Sequence, residues 1–264
     1  MPLKFWKKEK PPETVPAPES PEPPAPSPTE EPPVTPVGVE SPSTEPESAP
    51  SGSEAVAIVI DPDEAIRKVH EGLVELGLVA RPTKDVFAKR VAGYPGGRHA
   101  FLDELDREPW KPTTKLLASW LALRSRYDFD PEALLAEVNP RLSSFGLSIV
   151  IEGLAWLDQE LNLRKAKLRL ADREKVVRFK DPRDFLRGLN DLLAPKRLAF
   201  VELETWSENP AFLMVRDPKW PGLAETDVVV VKDPQTANFG ECGECGARVG
   251  KHWNDCLSCG AVFG

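Results

Sequence analysis

All four cysteines of this chain fall within its last twenty-three residues, as Cys242-Gly-Glu-Cys245 and Cys256-Leu-Ser-Cys259 with ten residues between the pairs. Each Cys-x-x-Cys turn presents two thiolates, and the connection brings the second turn opposite the first, which suits tetrahedral zinc. Pairs crowded at one end make a poor disulfide framework; they suit metal binding in a reducing compartment. Gly246 and Gly260 each follow the second cysteine of a pair, where backbone amides turn toward sulfur and a side chain would crowd the bend. One structural Zn2+ is therefore expected on Cys242, Cys245, Cys256 and Cys259. A closed shell of four thiolates leaves no position for water or substrate, so the ion is expected to stabilise rather than catalyse. So short a segment buries too little to fold alone, and structural zinc contributes roughly 10–16 kcal/mol of apparent free energy in comparable peptides.

With its two turn glycines, the run Cys242 to Gly260 resembles the short zinc ribbons found at the ends of many bacterial and archaeal proteins. The resemblance covers under a tenth of the chain. It implies a docking module for protein or nucleic acid. Such ribbons often place an aromatic just before the third ligand, whereas this chain has Asp255 there and Trp253 two residues earlier. His252 is a spare ligand type, but four thiolates already complete the shell, so a packing or solvated role is expected. The rival metal is iron in a rubredoxin-like site, although two knuckles this close together match ribbons better.

The opposite end cannot contribute to a core. Residues 11 to 50 hold fifteen prolines among Glu, Ser, Thr, Ala and Val, a composition that favours extended, solvated chain. Residues 1 to 54 are accordingly expected to form a disordered Pro/Glu-rich tail. They carry four Lys and ten Glu, so most of the net charge of −8 sits there and the rest of the chain is only −2. General binding to nucleic acid is disfavoured by the overall charge, while a local basic patch is not. Phe5 and Trp6 among four lysines within Met1 to Lys10 give a motif for weak peripheral membrane contact, short of the second signal that stable anchoring needs. No stretch approaches the ~20 apolar residues of a spanning helix, and the start lacks the apolar core of a secretion signal. The chain reads as cytoplasmic.

Between these ends the pattern is α+β. After the apolar run Ala55 to Ile60, three Asp-Pro pairs, Asp61-Pro62, Asp130-Pro131 and Asp181-Pro182, each precede apolar residues at helical spacing. Asp caps and Pro suits the first helical position. The first of these helices adds Glu64 at the capping-box position, and the second is expected to end near Asn139-Pro140. A further buried helix is expected over Lys115 to Tyr127, with Trp120 and, later in the chain, Trp156 in the core. Strands are expected at 147–151, 164–170, 175–180, 198–203, 211–215 and 227–231. The organisation expected is a disordered tail (1–54), a helical subdomain (55–127), an antiparallel α+β subdomain (128–235) and the ribbon (236–264).

One hairpin concentrates charge. Lys165, Lys167 and Arg169 alternate with Ala166, Leu168 and Leu170, and Arg178 and Lys180 return beside them; residues 164 to 187 hold ten basic and four acidic residues. A solvated sheet face explains this as well as a phosphate-binding surface does. Catalytic signatures are missing: there are three histidines, no His-Glu-x-x-His, no Gly-x-Ser-x-Gly and no dinucleotide fingerprint. The function expected is a non-enzymatic zinc-binding adaptor or regulatory protein that binds a protein partner through its body and ribbon. The alternatives are nucleic-acid binding through the ribbon and the basic hairpin (Lys165, Lys167, Arg169, Arg178, Lys180), and an enzyme whose polar residues converge in the body.

Overall fold

The computed structural model describes residues 61–263. The expected tail over 1–54, its Lys/aromatic start and the apolar run 55–60 lie outside the described residues. Each Asp-Pro start opens a helix whose capping carboxylate accepts from a backbone N–H of the first turn. Asp61 caps α1 (Pro62–Glu75) through the Asp63 amide at 3.0 Å. Two further helices follow, α2 (Lys84–Ala92) and α3 (Gly97–Arg107). Glu64 does not complete a capping box, because its carboxylate is taken by Arg67 one turn on.

The helix expected over Lys115 to Tyr127 is displaced. Helix α4 spans Trp110–Trp120, and the chain then extends into β1 (Leu123–Arg124), whose partner is a strand almost ninety residues later. Asp130 caps α5 (Pro131–Ser143) by accepting from the Glu132 amide at 3.0 Å. That helix runs through Pro140 instead of ending there. Proline forfeits one helical hydrogen bond, but Val138 and Leu142 on either side of it are fully buried. The Asn139 amide also clasps both backbone groups of Ile149, at 2.8 and 2.9 Å.

A three-stranded meander follows: β2 (Ile149–Asp158), β3 (Leu163–Leu170) and β4 (Arg173–Phe179), antiparallel and in that spatial order. Helix α6 (Pro182–Leu193), capped by Asp181 on the Asp184 amide at 2.9 Å, covers one face of it. Next come β5 (Leu198–Leu203), β6 (Ala211–Arg216), the short α7 (Trp220–Glu225) and β7 (Val231–Lys232). Asp227 and Val228 form a bend and Val230 bonds Glu204 and Thr114 outside a regular ladder, so the strand expected at 227–231 contributes only its end. The second sheet has the order β1-β6-β5-β7, again antiparallel, and the class is α+β.

Strand β5 is buried along its whole length because it divides two cores. Its alternation sends Ala199, Val201 and Leu203 toward α1 to α4, and Leu198 and Phe200 toward α5, α6 and the meander. Period-two patterning on a strand covered on both faces forces apolar residues at nearly every position. Glu202 breaks that pattern, and its place on the α6 side is the first structural sign of a buried polar site. No described helix is long and apolar enough to cross a membrane.

Candidate metal centre and its seat in the body

The last segment folds as two matching knuckles. In the first, the Gly246 amide donates to Cys242 O at 2.8 Å and the Cys242 amide to Ala247 O at 2.8 Å; in the second, Gly260 donates to Cys256 O at 2.9 Å and Cys256 to Ala261 O at 2.8 Å. Gly246 and Gly260 have φ of 70° and 76°, the left-handed region where a side chain is strained. A two-stranded ladder of β8 (Gly240–Glu241) and β9 (Arg248–Val249) supports the first knuckle, and a bridge between Asp255 and Val262 supports the second.

The four Sγ atoms lie within 4.8 Å of one another. Cys242 Sγ to Cys259 Sγ and Cys245 Sγ to Cys256 Sγ both measure 3.7 Å. A tetrahedron with Zn–S bonds of ~2.3 Å has sulfur edges of ~3.8 Å, whereas a disulfide would bring sulfurs to ~2.05 Å. Cys242, Cys245, Cys256 and Cys259 could therefore hold a metal ion such as zinc. Burial tends to raise the Cys256 thiol, but the amides of Cys259 and Ser258 outweigh it and bring it down to about 7. Cys259 goes the other way: the Ala261 amide pulls it down, but its sulfur neighbours and burial together push it up to about 12, so the deprotonation a metal demands is eased at Cys256 alone of the two.

The two knuckles sit differently. In both knuckles the first cysteine, Cys242 or Cys256, is buried and the second, Cys245 or Cys259, is exposed; the difference is that the residues leading into Cys256 grip the body. Trp253 is buried and its Nε1 donates to Val231 O at 3.0 Å. Gly250 gives its indole room, since a Cβ there would lie 2.4 Å from the ring. The Asn254 amide donates to Glu204 Oε2 at 2.8 Å. Asp255 pairs with Arg183 at 3.3 Å and with Lys232. His252 stacks on Trp110 with ring centres 3.5 Å apart and planes 10° from parallel, so its imidazole packs rather than turning to the sulfurs.

Asp255 thereby completes a buried charge cluster. Lys232 bonds Glu204 at 3.3 Å with both side chains almost fully enclosed, and Arg183 bonds Glu202 at 2.9 Å. Buried ions persist only when paired and hydrogen-bonded, and here two cations face three carboxylates. Burial pushes the Glu202 carboxyl up to about 7, against the pull of Arg183 and Lys232. Asp233 is also raised by burial. The sequence reading missed this cluster, whose members span residues 183 to 255. Its signal was present as charges set into apolar runs, in Phe200-Val-Glu-Leu-Glu204 and Val228-Val-Val-Val-Lys232.

Beside the second knuckle a cleft of about 590 Å³ opens along the seam with the body, lined by Tyr127, Arg183, Trp206, Asn254, Ser258 and neighbours. Phe239 and Val262 stand exposed on the ribbon at 70% and 71%. The basic hairpin is less cationic than its composition. Lys165 lies opposite Arg178, but Lys167 is held by Glu152 at 2.9 Å and Glu174 at 2.7 Å, Arg169 pairs with Glu152, and Lys180 falls beyond β4. Trp120 packs half-buried against the helical core, whereas Trp156, expected in the core, is 49% exposed near the end of β2. Its strand continues past the helices that cover the meander's beginning.

No protein-family model matches this chain, and neither a curated protein nor a solved structure does.

Proposed function

We propose that this chain is a non-enzymatic adaptor or regulatory protein in which one structural zinc ion on Cys242, Cys245, Cys256 and Cys259 holds a ribbon against the body, and the two together present a surface to a protein partner. The observation that carries this reading is the asymmetry of the knuckles. The second is anchored through Trp253, Asn254 and Asp255, while Phe239, Val262 and the second cysteine of each knuckle remain outward. A four-thiolate shell gives the metal a structural rather than a chemical role. The seam cleft, with Tyr127 and Trp206 among polar groups, has the aromatic-and-polar character of a peptide seat.

Cutting the ribbon off would strip Lys232 and Arg183 of a buried partner, so point substitutions are the sounder test. Metal analysis of the intact protein is expected to give one zinc per chain. Tyr127→Ala and Phe239→Ser, each on exposed side chains, are expected to keep the zinc and the melting temperature but lose partners captured by the wild type. An unchanged set of partners with both variants removes the seam and ribbon from the role.

A further inference from the structure

Strand β2 is the outer strand of its sheet, and among the described residues nothing pairs with its free side beyond Ile149. At Ile149 the Asn139 side chain occupies the backbone N–H and C=O, as a neighbouring strand would. From Ile151 to Asp158 the row of peptide groups is open. Natural sheets guard such edges with lysine, proline or very short strands. This one is ten residues long and reads Ile-Val-Ile-Glu-Gly-Leu-Ala-Trp-Leu-Asp, with no lysine or proline, and only the register shifts at Ile151/Gly153 and Trp156/Asp158 interrupt it.

The side chains agree with the backbone. The register shift between Ile151 and Gly153 moves the alternation by one, so Leu154 lies opposite Ala166 just as Ile151 lies opposite Leu168. Leu154 and Trp156 thus continue the apolar face of Ile149 and Ile151, past the point where the helices stop covering it. Val150, Leu154, Trp156, Leu157 and Leu161 are 41% to 58% exposed along this edge and its turn, a concentration that marks an interaction surface.

We infer that β2 pairs antiparallel with β2 of a second copy of this chain, joining two three-stranded meanders into one six-stranded sheet. A two-fold contact requires a self-complementary surface, and β2 is one. Its apolar halves, Ile149 to Ile151 and Leu154 to Leu157, flank Glu152-Gly153. Centring the two-fold there sets Ile151 of one copy opposite Leu154 of the other. The strand's charges are Glu152, already neutralised by Lys167 and Arg169 of its own sheet, and Asp158 at its last position, which accepts from the Leu161 amide in the turn, so a second copy brings no unpaired ion into the centre of the contact. The eight residues left open, Ile151 to Asp158, run about 26 Å, and a band ~24 Å wide along them, including the side chains on both faces, covers about 600 Å² per partner, the low end of stable interfaces.

The test is the mass of the full chain in solution, by light scattering or sedimentation. The wild type is expected at twice the chain mass. The double variant Leu154→Lys/Trp156→Lys, whose sites are half exposed and so spare the fold, is expected at the single-chain mass with Kd raised about 100-fold or more. Val176→Lys, an equally exposed site on β4 across the sheet, is expected to stay dimeric. Hydrogen exchange over residues 151–158 is expected to be slow in the wild type and fast in the double variant. A wild type that is monomeric overturns the inference, whether its β2 amides exchange fast or are protected by another segment of the chain or a different protein. A double variant that remains dimeric overturns it as well.

Discussion

In the body, Phe129, Phe179 and Phe185 meet with ring centres 5.0 to 5.8 Å apart inside a core that α5, α6 and the meander close from every side. In the ribbon, Cys242, Val249, Trp253 and Cys256 are the buried apolar side chains, and two of those four are thiols. The body is stabilised by apolar area removed from water. The ribbon has no comparable area: four clustered thiols that could hold a metal ion lie on one side of it and buried ion pairs on the other. The contrast teaches where each part is vulnerable: the body to loss of volume, the ribbon to loss of an ion or a charge.

Four measurements would break or sharpen that contrast. The largest effect is expected from metal removal: chelation, or Cys256→Ser, deletes a contribution of the order of 10 kcal/mol. Hydrogen exchange should then become fast over residues 240–263 while the helical core around Leu73 and Phe101 stays protected. Equal loss of protection everywhere would show that body and ribbon are a single cooperative unit. Second, Phe185→Ala, at a fully buried site, is expected to cost about 3–5 kcal/mol in denaturant unfolding while zinc stoichiometry at low denaturant is unchanged.

Asp255→Ala should come third. Lys232 keeps Glu204 and Arg183 keeps Glu202, so the expected cost is about 1–3 kcal/mol, that of leaving buried donors under-satisfied. Its signature is a ribbon that retains zinc but exchanges faster across Trp253 to Asp255. The smallest effect concerns pH. Because burial raises Glu202 from 4.5 to about 7, the folded state holds that proton more tightly than the unfolded one. The group's contribution is therefore fully present below about pH 4.5 and is lost as pH rises through about 7. Glu202→Gln is expected to flatten that part of the stability profile, and identical slopes in the two proteins would refute the assignment.

The parts legible in the sequence were those governed by neighbours in the chain. Asp61, Asp130 and Asp181 cap helices because an Asp-Pro pair supplies both acceptor and backbone angle locally, and the cysteine spacing set the sulfur geometry because each knuckle is closed within five residues. The readings that failed depended on distant partners. Leu123 looked helical after Leu116 and Leu117, yet Phe212 draws it into a sheet. Pro140 looked like a stop, yet Asn139 finds Ile149 and the helix continues. Asp255, a departure from the aromatic that resembling ribbons carry, was uninterpretable until Arg183 and Lys232 were seen to face it.

The indole of Trp253 has a practical consequence. Its ring is enclosed beside Gly250 and its nitrogen is bonded to Val231 O at 3.0 Å, three residues before a sulfur of the metal cluster. A tryptophan so placed is a built-in optical gauge. Seven tryptophans emit in this chain, so the difference between the wild type and Trp253→Phe during a chelator titration should report, through a shift to longer wavelength as the indole meets water, the moment at which the end of the chain lets go of the body.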